Sequence, residues 1–353
     1  HMMRLQFLDN IRSITIILVV VYHVIFIFNN VIPQLSVGAF SKVQYQDVIL
    51  YLLHPWIMII LFIMSGMCSR YYLSEHTIKE FVIARTQKLL VPSTVGILVF
   101  GWVQGSFNLI IFDSYKTIQD LPYYVQYLIM CLSGTGVLWF IQTLWIFSMI
   151  LALMTQFEKL KLYKLTSKFG IIEMILFVIP VYISGLVLNT PVITVYRFGI
   201  YGFTFFLGYF VFAHDEVIVR IAKYRHLLIL ASIISGIVYV KLHFGENYGE
   251  MPCVGCKSAV VYAWSTILAI LGTMKIIGNK QTKVMRILKS KSFGIYVFHY
   301  LPLSVTADYT KNCDKFPPFI CYLLVFISAI GMSIILFEVF RRIPILKWCL
   351  LGI

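Results

Sequence analysis

Between residues 13 and 340 the chain passes through ten apolar stretches joined by short polar connections, at 13–29, 49–68, 91–111, 137–155, 170–188, 197–213, 227–244, 258–277, 293–307 and 318–340. A helix rising 1.5 Å per residue needs about 20 residues to cross about 30 Å of hydrocarbon, and each stretch reaches or approaches that length. Inside hydrocarbon every backbone N–H and C=O must be satisfied by the protein itself. The expected fold class is therefore all-α, a polytopic integral membrane protein of ten transmembrane helices. Composition agrees, because 60% hydrophobic against 12% charged residues is more apolar surface than a soluble domain with a wetted exterior carries.

The basic residues set the expected orientation. With the N-terminus inside, 22 of the 29 lysines and arginines fall on cytoplasmic segments, among them Arg70, Lys79, Arg85 and Lys88 in one loop, Lys159 in the next, and Lys280, Lys283, Arg286, Lys289 and Lys291 in another. The opposite side keeps Lys42, Lys116, Arg197, Lys241, Lys257, Lys311 and Lys315. This bias puts both termini in the cytoplasm of a multi-pass protein of the cell membrane. The net charge of +14 is then a topology signal, with attraction to anionic lipid as its consequence. Nucleic acid is not an expected partner, since the cations are scattered over short loops with no recognisable binding module.

The chain reads as one transmembrane domain over 3–353 with no appended soluble domain, after a His-Met cloning scar at 1–2. No cleavable signal peptide is expected, because the first apolar stretch carries Arg12 and His23 and lacks a small-residue cleavage site. Residues 112–136 read as a polar turn followed by an interfacial helix in YYVQYLIMCLSG. Of seven cysteines, Cys68, Cys131, Cys321 and Cys349 fall in or beside apolar stretches and read as buried small hydrophobes. Cys253, Cys256 and Cys313 fall in outer loops, where a disulfide among them is one expectation. No metal is expected: His243 is the single nearby histidine, and the CVGC loop by itself does not supply four ligands.

The candidate chemistry begins in the first apolar stretch, where Arg12 and His23 are eleven residues apart. Eleven steps of about 100° bring His23 to within about 20° of Arg12, roughly 16 Å further along the helix. Only Ile16 and Val19 lie between them on that stripe. An ionisable group at membrane depth costs at least about 2.5–3.5 kcal/mol, so it rarely sits there without a role. Arginine near one face and histidine near the midplane suit an anion held at the surface and proton chemistry inside. The competing readings are snorkelling of Arg12 to the headgroups and an interhelical hydrogen bond for His23. Glu338 beside Arg341 and Arg342 reads as a structural ion pair, and His54 beside Pro55 and Trp56 as an interfacial histidine.

The run Leu8-Asp9-Asn10-Ile11-Arg12, with His23 eleven residues after the arginine, resembles the first helix of acyltransferase family 3. Ser65-Gly66 near the inner end of the second stretch, a basic loop ending in Pro92, Trp139-Phe140 and Tyr296-Val297-Phe298-His299 extend the resemblance over nearly the whole chain. Where the family carries a second loop arginine, this chain has Lys88, which keeps the charge and loses bidentate phosphate recognition.

The resemblance implies transfer of an acyl group, commonly acetyl, from cytoplasmic acyl-CoA to a hydroxyl of a cell-surface glycan or lipid-linked saccharide. It implies His23 and Arg12 as catalytic, Arg70, Arg85 and Lys88 as binders of the CoA phosphates, and Asp9, Trp139, Tyr296 and His299 as pocket candidates. A neutral imidazole with a reference pKa near 6.5 can take a hydroxyl proton near pH 7. Direct transfer and an acyl-histidine intermediate are both open. The alternative from another class is a permease for a small polar solute or lipid-linked precursor, which ten spans also suit. Permeases commonly show internally repeated halves, and no repeat of fixed period is visible here.

Overall fold

The structure, a computed structural model, describes residues 2–158 and 161–353, so His1 of the scar and Lys159 of the basic loops lie outside the described residues. It is helical throughout, and among the described residues the only strand-like feature is an isolated bridge between Asn189 and Arg197. Thirteen helical segments form the frame of the fold. They are α1 Met2–Phe26, α2 Val48–Leu73, α3 Ile78–Ile111, α4 Tyr123–Ser133, α5 Trp139–Glu158, α6 Ile171–Ser184 and α7 Phe198–Phe212. They continue with α8 Asp215–Lys223, α9 Arg225–His243, α10 Lys257–Ile277, α11 Lys283–Phe298, α12 Tyr300–Asn312 and α13 Pro318–Phe340.

Among the described residues, seven helices are long and apolar enough to cross a membrane, namely those containing α1, α2, α3, α5, α9, α10 and α13. The other three expected spans are shorter or interrupted, and proline accounts for two of them. Pro180 cannot donate to the carbonyl of Leu176, and α6 breaks at Phe177. Pro302 cannot donate to the carbonyl of Phe298, and the expected ninth span divides into α11 and α12 at His299. The third, α7, ends in a π turn over Gly208–Phe212. The helix expected in YYVQYLIMCLSG is present as α4.

The chain forms two compact units. The first takes residues 1–15, 51–82 and 146–289. Within it α2 and α7 approach so closely that each depends on a missing side chain of the other. A Cβ on Gly66 would lie 2.0 Å from the Phe205 carbonyl oxygen, and one on Gly208 would lie 2.0 Å from that of Ile63. Small residues permit such backbone contact, which replaces the hydrophobic drive that lipid cannot supply. In the α9–α10 pair the Ser232 and Thr266 hydroxyls are 2.6 Å apart, and the Trp264 indole donates to the Met174 carbonyl at 2.7 Å.

The second unit takes residues 16–50, 83–145 and 290–353. Its core gathers Phe298, Phe337, Cys349, Leu350 and Leu351. Along α3, Pro92 again withholds a bond, from the carbonyl of Lys88, and the helix relaxes into a π turn over Thr86–Leu90.

Replacing Gly66 or Gly208 with alanine should destabilise the protein by about 1–3 kcal/mol or more through overpacking against backbone. Gly331→Ala on α13, where a Cβ would meet nothing within 4 Å, should be neutral or slightly stabilising. Thermal unfolding of the three variants in detergent checks this. Equal midpoints would show that the α2–α7 contact tolerates a methyl group.

Candidate active site

His299 stands where α11 gives way to α12. Its Nδ1 lies 3.0 Å from the Ile295 carbonyl oxygen and 2.8 Å from that of Tyr296. Both oxygens only accept, so the partners assign the ring proton to Nδ1 and the lone pair of the neutral ring to Nε2. That Nε2 is 3.1 Å from Nδ1 of His23 on α1. His23 Nδ1 must therefore donate, and the Val19 carbonyl oxygen at 2.9 Å shares the same proton. By elimination the lone pair of a neutral His23 sits on Nε2.

Both rings belong to the second unit, where His299 is fully buried and His23 half-buried. Tyr300 meets the His23 ring edge-on at 5.4 Å and Tyr22 at 5.2 Å. Tyr300 also lines a narrow cavity with Phe100, Gln104, Gly134, Leu138 and Leu301. The cavity is apolar apart from a few groups such as the Gln104 amide, which donates to Asn108 at 2.8 Å. Such a lining suits an acyl chain.

Of the pocket candidates, Tyr296 donates its hydroxyl to the Val137 carbonyl and packs its ring 5.9 Å from Phe140. It ties α11 to the start of α5. Trp139 is half-buried with its ring 6.3 Å from Phe140.

In the first unit Arg12 donates Nη2 to Cys68 Sγ at 3.0 Å and sits 3.6 Å from the Asp9 carboxylate. The other Asp9 oxygen is 2.5 Å from Lys289 Nζ. Asp9 thus lies between two cations. Arg70 places its guanidinium 3.4 Å from the centre of the Tyr163 ring and donates to the Tyr209 hydroxyl at 3.0 Å, so part of its capacity is used within the protein.

In the second unit Arg85 is half-buried and Lys88 exposed, with Lys88 Nζ 5.3 Å from the centre of the Phe293 ring. Arg70 on the one hand and Arg85 and Lys88 on the other belong to different units. Glu338 pairs with Lys291 and, at 2.7 Å, with Arg341. His54 meets Tyr248 at 4.9 Å between ring centres.

Sequence reasoning passed over three side chains here. Tyr300 follows the YxxH run directly, and Cys68 follows Ser65-Gly66, so proximity to flagged motifs was the available signal. Arg197, first counted only as an outer cation, is 6% exposed in the first unit. It lines a cavity with Pro55, Ile59, Val181, Ile200 and Trp264. Among the described residues its Nε and Nη2 have no hydrogen-bond partner, although Tyr201 bonds the same guanidinium.

The family model described as an acyltransferase domain matches residues 5–338, nearly the whole chain. No curated protein and no solved structure matches.

Removing a buried charge that lacks full compensation is often neutral or stabilising, whereas removing one partner of a pair is not. Arg197→Met should therefore keep or raise the thermal midpoint. Arg12→Met, which strips Asp9 and Cys68 of a partner, should lower it. Unfolding curves on the two variants decide, and a large loss for Arg197→Met would mean that solvent or an unrecognised group completes its bonding.

Proposed function

The chain belongs to acyltransferase family 3, and we propose that it transfers an acyl group, acetyl in the first instance, from acyl-CoA to a hydroxyl of a cell-surface glycan or lipid-linked saccharide. The observation that carries the chemistry is the His299–His23 hydrogen bond at 3.1 Å. It leaves His23 Nε2 as the acceptor of a proton and puts a fixed, neutral ring behind it.

The proposed reaction runs through that nitrogen. His23 Nε2 takes the proton of the acceptor hydroxyl as the oxygen attacks the acyl carbonyl carbon. The carbon–sulfur bond then breaks, and the departing CoA thiolate takes the proton from the imidazolium. His299 touches neither reactant in this scheme and acts as a positioning residue. Its Nε2 lone pair steadies the Nδ1–H of His23 while the ring is charged, the part a carboxylate plays in a hydrolase triad. A neutral acceptor gives a weaker bond to the imidazolium than a carboxylate does, and it leaves less charge to bury in an apolar surround.

Arg85 and Lys88, in the second unit with His23, are assigned to the phosphates of the donor. The cavity beside Tyr300 is assigned to the acyl chain. This reading keeps both termini and the donor on the cytoplasmic side, supported by the distribution of basic residues.

Purified protein in nanodiscs should release thiol from acetyl-CoA, faster when an acceptor is supplied. His23→Ala should lower turnover by at least about 100-fold. His299→Ala should lower kcat by about 10-fold or more with little change in KM, and His299→Gln, whose amide oxygen can accept from Nδ1–H, should recover part of the loss. Arg85→Ala should raise KM for acetyl-CoA, and Lys88→Ala should do so less. Full activity in His23→Ala would remove that residue from the reaction. No thiol release together with no CoA binding by calorimetry would return the assignment to a permease.

A further inference from the structure

The connection between α9 and α10, in the first unit, gathers residues that the transfer reaction does not use. His243 is the last residue of α9, Cys253 lies in the short helix Met251–Val254, and Cys256 is the N-cap of α10. Nε2 of His243 is 3.3 Å from Cys256 Sγ, and its Nδ1 is 2.9 Å from the Glu246 carboxylate. Donor atoms of His243, Glu246 and Cys253 all lie within 4.8 Å of one another. All seven cysteines of the chain are free thiols, so the anticipated disulfide is not formed.

We propose that this connection is a metal site of the zinc class, in which Cys253, Cys256 and His243 through Nε2 are ligands and Glu246 holds the other imidazole nitrogen. The spacing is the first support. A tetrahedral site with metal–sulfur about 2.3 Å and metal–nitrogen about 2.0–2.1 Å separates sulfur from nitrogen by about 3.5 Å, close to the 3.3 Å observed. Two cysteines separated by two residues, with a histidine supplied from a neighbouring helix end, match the usual way such ligands are spaced.

The surroundings of the donors are the second support. Cys256 Sγ accepts from the Ala259 N–H at 3.4 Å in the first turn of α10. A ligating histidine ordinarily gives its second ring N–H to a carboxylate, the arrangement His243 already makes with Glu246. Cys253 is 1% exposed, so a cation at this point would be shielded from bulk water on one side.

The loop is also held ready from below. The Tyr51 hydroxyl bonds the Glu246 carbonyl and accepts from the Gly245 N–H at 3.0 Å. A metal there joins the end of one membrane helix to the start of the next, which makes it a clamp on the α9–α10 hairpin and separate from acyl transfer. Binding releases the two thiol protons and requires no redox partner.

The experiment is cobalt titration of the reduced, full-length protein in detergent after chelator treatment. The expected result is one equivalent bound, with thiolate charge-transfer absorption and the visible bands of a tetrahedral ion. Cys253→Ser, Cys256→Ser and His243→Ala should each lose that spectrum, and Glu246→Ala should weaken affinity by about 10- to 100-fold. In the untouched protein, elemental analysis should find zinc, and chelation should lower the thermal midpoint. The proposal is overturned if the reduced wild-type protein, monodisperse by size exclusion, shows no such bands. It is equally overturned if the bands survive Cys256→Ser, or if Cys253 and Cys256 resist alkylation as a disulfide that forms again faster than metal binds. Because the readout is spectroscopic, failure of the acyl-transfer assignment leaves it intact.

Discussion

Two carbonyl oxygens, those of Ile295 and Tyr296, hold the Nδ1 proton of His299, and the rest of the candidate site follows from that constraint. Fixing one proton fixes the lone pair of His299, then the proton of His23, then the position of the basic nitrogen. The Ile295 carbonyl also accepts from the backbone N–H of His299 at 3.0 Å, so ring and backbone share that acceptor. Pro302 removes the donor that the Phe298 carbonyl would have met and divides α11 from α12 at the histidine itself. In hydrocarbon an unpaired backbone group costs several kcal/mol.

The charged groups follow a related economy. Asp9 stands between Arg12 and Lys289, Glu338 between Lys291 and Arg341, and Arg70 lies over Tyr163. Acidic residues are scarce, 15 against 29 basic ones, so Asp9 and Glu338 each serve more than one cation and aromatic rings take part of the remainder. A chain built this way keeps cationic capacity for anionic ligands, because protein carboxylates cannot neutralise all of it.

Much of the class was legible beforehand. Hydropathy is additive along the chain, so the helices, that at Tyr123–Ser133 included, and the ion pair of Asp9 with Arg12 three residues away could be read from local order. The number of full-length spans was less legible. Seven helices among the described residues meet the length, and the shortfall in α6 and in the α11–α12 segment comes from single prolines whose effect on an apolar run no average of hydropathy registers. Ser65-Gly66 was visible as a motif with no mechanism attached, and the mechanism is the reciprocal backbone contact of Gly66 and Gly208.

By itself the sequence determined an all-helical membrane class and the sharing of one helix by Arg12 and His23, since both depend on residues within a few turns of each other. Tertiary structure alone decided that His299, 276 residues away, is the partner of His23, that His243 and Glu246 gather with Cys253, and that Cys256 lies against His243. A ring's proton is placed by whatever packs against it, and which segments pack together is a property of the folded chain, not of any window along it.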